Sequence, residues 1–207
     1  IPTILKINSS NTLATSLDQA VTGSIDDALK LGCAAIGFTI YPGSDHNFSL
    51  MEEYQELSHE AKAKGLAVVL WAYARGANIS KKGETAMNII SYAAHMSALL
   101  GANIIKVKLP SDFLEEDPTK AAFENNKIAM STLQERVTHI KKVAFEGKRL
   151  VVFSGGDAKD DSALMEEIKA IHFGGGNGSI IGRNCFQRTR EDSLVLLDQM
   201  IQIYKSK

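Results

Sequence analysis

Short, almost purely apolar runs recur along this chain, each followed by a longer charged stretch with helical spacing. Runs such as AVVLW and LVVF lack the polar alternation of a half-exposed strand, so they read as strands covered on both faces. Strands are predicted at Thr3–Ile7, Ala34–Tyr41, Ala67–Tyr73, Asn103–Lys108, Leu150–Phe153 and Ser179–Ile181. Helices are predicted at Ser24–Leu31, Ser49–Lys64, Gly83–Leu100, Asn126–Glu146, Asp160–His172 and Arg190–Tyr204. Gly32, Gly65, Gly101 and Gly147 follow four of these helices as C-terminal caps, and Ser24 precedes two acids suited to a helix N-terminus. Six βα units at a spacing of roughly thirty residues require a parallel sheet, either open and doubly wound or closed into a barrel. No Gly-x-Gly-x-x-Gly follows the first strand, which disfavours a dinucleotide site.

The chain has 207 residues, 44% hydrophobic and 23% charged, which excludes a disordered chain or a fibre and suits a single domain. A net charge of −1 argues against nucleic acid as a partner. The longest apolar runs, such as Leu66–Tyr73, are too short to cross a bilayer. The sequence opens at Ile1 inside an apparent strand and without a signal-peptide pattern, so it is expected to be a fragment, a processed chain or a chain lacking its start. Cys33 and Cys185 lie far apart and outside any zinc spacing; they are expected to be buried thiols, and a cytoplasmic setting follows.

Side chains alternate along a strand, so equal parity means a shared face. Trp71 and Tyr73 share a face at the end of LAVVLWAY, and Lys106 and Lys108 share one at the end of NIIKVK. Ile105 and Val107, of opposite parity, are free to pack on helices. Lys6 lies near the end of TILKI, Ser154 follows LVVF, and Arg183 follows SIIG. In barrel enzymes the C-terminal strand ends carry the chemistry. A lysine inside an apolar strand is costly when charged, and burial lowers its pKa toward that of a nucleophilic amine. A second lysine on the same face is expected to lower it further by like-charge repulsion. The alternative is that both lysines are snorkelling or ion-paired.

Ser154-Gly155-Gly156 and the run Gly174–Gly178 leading into Gly182 and Arg183 favour an anion site, with ordinary turn chemistry as the alternative. The long segment from Leu109 to about Asn125 reads as a functional loop. The five histidines show no ligand spacing, so no metal is expected; Asp45 and His46, beyond Tyr41-Pro42-Gly43, could reach a site.

LWAYARG (70–76), GANIIKVK (101–108), FSGG (153–156) and GGGNGSIIGRNCF (174–186) resemble the archaeal-type class I fructose-1,6-bisphosphate aldolases of bacteria and archaea, and IPTILKINSSNTL and AIGFTIYPGS resemble that family's earlier strands. The resemblance runs from Ile1 to about Tyr204. It implies an α/β fold, a (β/α)8 TIM barrel, with residues 1–207 forming one aldolase domain made of its last six βα units. It also implies a lysine Schiff base without metal or cofactor, and sugar-phosphate substrates. By position, Lys106 matches the imine-forming lysine in preference to Lys108. Tyr73 matches the proton-transferring tyrosine, and Trp71 a pocket-shaping tryptophan. Ser154, Gly155, Gly156, Gly182 and Arg183 match a phosphate cradle, with Lys108 beside it; Lys6 is the least specific correspondence.

The sequence departs from the family at its front. The first two strands, and the acid at the end of the first, have no counterpart, so the chain as it stands is expected to be inactive or incomplete. An intact mass near 22.5 kDa would reject the idea of an unseen N-terminus. Readings kept beside the aldolase are a related Schiff-base enzyme on another phosphosugar, of the autoinducer-processing thiolase or keto-sugar transaldolase type, and a non-catalytic barrel that binds phosphate ligands. The resemblance further implies a homo-oligomer, often a decamer.

Overall fold

The computed structural model describes residues 1–155 and 160–206. Its centre is a six-stranded parallel sheet in the order β1 (Ile4–Lys6), β4 (Ala35–Ile40), β5 (Ala67–Ala72), β6 (Ile104–Lys108), β7 (Leu150–Ser154) and β8 (Gly178–Ile180). A short antiparallel hairpin, β2 (Asn8–Ser9) with β3 (Ala20–Val21), follows β1. The helices are α1 (Ile25–Lys30), α2 (Asn47–Ala63), α3 (Met87–Leu99), α4 (Asp117–Asn125), α5 (Leu133–Val143), α6 (Asp161–Phe173), α7 (Arg183–Phe186) and α8 (Arg190–Lys205). The sheet curls into a half-barrel, a partial (β/α)8 fold, with β1 and β8 as its edges.

All six predicted strands are present, each within two residues of its expected ends. Parity explains their burial. On β6, Ile105 and Val107 are fully buried with the helices, whereas Ile104, Lys106 and Lys108 face the half-open interior and keep some exposure. On β7, Val151 and Phe153 are buried and Val152 and Ser154 are partly exposed. The main core therefore lies between sheet and helices, built from Ile36, Phe38, Leu70, Ile90, Ile105, Ile140 and their neighbours. A smaller cluster of Leu164, Ile168, Leu196 and Met200 joins α6 to α8.

The four predicted glycine caps all take left-handed φ angles between 65° and 84°, which a side chain would strain. Ser24 and Asp27 form a reciprocal capping box at α1. Two predicted helices break. The stretch 83–100 becomes a 3₁₀ turn, Gly83–Thr85, and then α3, because Ala86 between them is extended. The stretch 126–146 yields only α5, started by a Thr132–Glu135 capping box, while α4 forms inside the expected loop. The left-handed Lys127 lies just after α4. Cys33 and Cys185 are half-buried rather than buried, and unpaired. Among the described residues no helix is long and apolar enough to cross a membrane.

Asn8 couples the hairpin to the sheet. Fully buried, its side chain accepts from the Thr39 amide at 2.8 Å and donates to the Thr39 carbonyl at 2.9 Å. It thereby replaces a strand partner for β4. Asn8→Ala leaves both Thr39 groups unpaired and should cost about 1–3 kcal/mol in urea unfolding; a loss below about 0.5 kcal/mol, the scatter of surface substitutions, would refute this role.

Candidate active site

Register brings the candidate residues together. Thr39, Trp71, Lys106, Val152 and Gly178 are paired neighbours across five strands, so their side chains share the interior face. One level higher, Lys108, Ser154 and Ile180 are paired in the same way. The Lys106 amine lies 5.5 Å from the centre of the Trp71 ring and 5.7 Å from that of Tyr73. These rings strip water from one side of the amine, and burial pushes Lys106 down to about 8.

Lys108 does not act as expected. Its amine pairs with Glu84 of the 3₁₀ turn at 2.6 Å, and burial alone accounts for the lowered Lys106. The reading of an ion-paired lysine thus holds for Lys108, and like-charge repulsion is not what perturbs Lys106. Burial would raise Glu84, but its bonds from Lys108 and Lys81 outweigh this and hold it below the usual carboxylate value.

Lys106, Lys108, Tyr73, Ser154, Gly155, Gly182 and Arg183 all line one cavity of about 630 Å³, within the range of small-molecule sites. Burial raises the Tyr73 hydroxyl, partly offset by a hydrogen bond with the Ser154 side chain. The Gly155 amide donates to the Ile180 carbonyl at 3.0 Å, so its N–H is already engaged and is not turned toward the cavity as an anion donor. Gly156 lies outside the described residues.

Trp71, level with Lys106, and Lys6, one level lower, lie outside the cavity lining. Lys6 sits 6.0 Å from the Trp71 ring centre and is also pushed down to about 8 by burial. It donates to the Asn8 carbonyl, to Asn8 Oδ1 at 2.8 Å and to Gln19 Oε1 at 3.1 Å. Asp45 and His46 do not reach the Lys106 cavity; they line a separate cleft with Thr15, Ser16 and Gly76, where His46 lies 3.4 Å from Asp18.

Sequence reasoning missed Arg75, Thr85 and Glu167, which line the same cavity, and Glu84 behind them. Arg75 continues the parity of Trp71 and Tyr73, and that spacing could have found it. Its guanidinium lies 5.6 Å from the Tyr41 ring centre. Among the described residues no group of three or more His, Cys, Asp or Glu side chains could hold a metal ion.

The floor of the site depends on Gly37. A Cβ there would stand 2.0 Å from the Trp71 ring, so the indole occupies the space over Gly37 only because that residue has no side chain. Gly37→Ala should displace the ring, cost about 1–3 kcal/mol by overpacking, and shift the emission of Trp71, the chain's single tryptophan. An unchanged spectrum with unchanged stability would show that the ring does not need this space.

A family model described as DeoC/LacD family aldolase matches residues 1–188. The class 1 fructose-bisphosphate aldolase of Thermoproteus tenax is 31% identical over 190 residues, covering 91% of this chain and 63% of that protein. The class 1 enzyme of Halobacterium salinarum is 32% identical over 171 residues, covering 83% and 56%. A solved archaeal fructose-1,6-bisphosphate aldolase, whose catalytic lysine is covalently bound to the carbinolamine intermediate of its substrate, superposes with a TM-score of 0.81 at 28% identity, covering 100% of this chain and 72% of that one. The chain thus spans 56–63% of the length of these curated relatives. A parallel half-barrel with a buried lysine at its open face, joined to these likenesses, makes the chain a member of the DeoC/LacD aldolase family, on the side of the class I fructose-bisphosphate aldolases of archaea and bacteria.

Proposed function

We propose that this chain carries the Schiff-base site of a class I fructose-1,6-bisphosphate aldolase, which reversibly cleaves the sugar to dihydroxyacetone phosphate and glyceraldehyde 3-phosphate. The observation that supports this most is the Lys106 amine, lowered by burial between Trp71 and Tyr73, in a cavity that also holds Ser154, Gly182 and Arg183.

The chemistry needs a neutral amine. Attack of Lys106 Nζ on the C2 carbonyl forms a carbinolamine, and protonation of its hydroxyl releases water and leaves the imine. Tyr73 is suited to that proton transfer: its raised hydroxyl stays protonated near neutrality, and the hydrogen bond from Ser154 eases formation of the phenolate. The Tyr73 phenolate left by that dehydration takes the C4 hydroxyl proton as the iminium accepts the electron pair of the C3–C4 bond, which releases the aldehyde. Tyr73 then returns this proton to the enamine at C3, and attack of water on the iminium, with its proton passing to the phenolate, releases the ketone and Lys106. Arg183, with Ser154, is placed to hold a phosphate, so binding energy away from C2 orients the open-chain sugar.

Borohydride reduction in the presence of dihydroxyacetone phosphate or fructose bisphosphate should leave one covalent adduct on Lys106 by peptide mass mapping, and Lys106→Met should abolish it. No adduct with any of several phosphosugars, or undiminished cleavage by Lys106→Met, would reject the reading; an adduct with a different phosphosugar alone would redirect the substrate.

The pH dependence has a definite sign. Below about 8 the Lys106 amine is protonated and cannot attack, so the trapping rate should rise about tenfold per pH unit below that point and level off above it. A rate still climbing toward pH 10 would place the amine in a wetter setting.

Arg183→Ala removes a charge-assisted contact to phosphate, worth about 10–100-fold in affinity. It should weaken sugar-phosphate binding by that factor while substrate-free labelling of Lys106 stays unchanged. Unaltered binding would move the phosphate elsewhere.

A further inference from the structure

Glu84 takes no part in the chemistry above, yet the fold goes to some length to place it. Its 3₁₀ turn is held by the segment that follows β6. Ser111 donates to the Thr85 carbonyl through its amide at 2.7 Å and its hydroxyl at 3.0 Å. The Met87 amide donates to the Phe113 carbonyl at 2.8 Å. The Glu115 carboxylate accepts from the Ser80 amide and hydroxyl at 2.7 and 2.9 Å, and it fills the space beside Gly83, where a Cβ would meet it at 2.5 Å. So held, Glu84 presents Oε2 to Lys108 at 2.6 Å and Oε1 to Lys81 at 3.0 Å, with 13% of its side chain exposed.

We propose that Glu84 is a positioning residue for the amine chemistry of Lys106: it fixes Lys108 at the cavity wall and cancels its charge, so that the two lysines on one strand face have separate roles. Lys108 is the hydrogen-bond donor to substrate at the wall, and Lys106 is left to burial. This rests on the reading of Lys106 as the nucleophile.

Residues two apart on a strand sit about 6.5–7 Å apart. An unpaired ammonium at that distance from Lys106 would act on it directly. Among the described residues, the other titratable or charged groups facing these two lysines are Lys6 from β1, Tyr73 and Arg75 beyond β5, and Glu167 and Arg183 across the cavity. Glu84 is ion-paired with Lys108 at 2.6 Å, and Lys108 shares a strand face with Lys106, so removing the Glu84 carboxylate alters the charge next to Lys106.

The test is trace labelling of the native chain with acetic anhydride across pH, reading the Lys106 peptide by mass spectrometry and using no sugar. Glu84→Gln should move the Lys106 midpoint down by about half to one unit. Lys108→Met, which leaves the Glu84 carboxylate in place, should move it up. The double variant Glu84→Gln/Lys108→Met should return it close to the native midpoint. A merely structural role for Glu84 predicts no such reversal. A midpoint unmoved by Glu84→Gln, or a shift that Lys108→Met fails to reverse in a variant with native circular dichroism, overturns the proposal. Because no substrate is present, failed borohydride trapping would refute the aldolase reading while leaving this measurement standing.

Discussion

The site depends on keeping a lysine amine half-buried in a parallel sheet. A strand in such a sheet normally hides both faces in apolar packing, and a charge there is costly. β6 resolves the conflict by parity. Ile105 and Val107 take the helix-facing positions and are fully buried, while Lys106 and Lys108 point into the barrel interior. The two lysines then settle their desolvation differently. Lys108 pairs with Glu84, and Lys106 has its ammonium form disfavoured by burial beside aromatic rings.

Those rings need support in turn. Trp71 can occupy its space over Gly37 only because that residue, on the neighbouring strand, offers no Cβ. Tyr73 stands just past the end of β5, its amide bonded to the Ile40 carbonyl at 3.1 Å. Below them, Lys6 is tied to Asn8 and Gln19, and Gln19 donates to the Tyr41 hydroxyl at 2.6 Å. Tyr41 in turn faces the Arg75 guanidinium. The buried polar groups near the site are thus linked into a chain running from β1 to the loop beyond β5. Such chains hold geometry best when every member is satisfied; here the hydrogen-bonded part ends at Tyr41, and Arg75, held by its ring contact, has a buried Nε without a hydrogen-bond partner.

Much of this was readable from the sequence, because the relevant physics is local or periodic. Continuous apolar runs located the strands, and period two put Trp71, Tyr73, Lys106 and Lys108 on the interior face. Glycine after four of the six predicted helices marked their ends. What the sequence hid was cross-chain pairing. Glu84 lies 24 residues from Lys108, and nothing in GETA shows that the two meet; the expectation of two repelling lysines failed for that reason. The split of the 126–146 helix had a local sign, the Thr132-x-x-Glu135 capping pattern, obscured by the helix-forming residues before it. The hairpin of Asn8–Ser9 with Ala20–Val21 has two-residue strands, too short to show any period.

The same electrostatics constrains where a phosphate can sit. A dianion close to Lys106 would favour its ammonium form and undo part of what burial achieves. A Schiff-base site for a phosphosugar therefore needs the amine and the phosphate contacts in one cavity but on different elements. Lys106 is on β6, whereas Ser154 closes β7 and Gly182 and Arg183 begin α7 beyond β8. Glu167 of α6 lines the cavity as well, adding negative charge that tempers the cationic wall. On the proposed reading, the Glu84–Lys108 pair offsets the charge beside the amine, while the phosphate contacts come from the end of β7 and the start of α7. Separation by strand and pairing by loop would then let one small cavity serve both a neutral nucleophile and an anion contact.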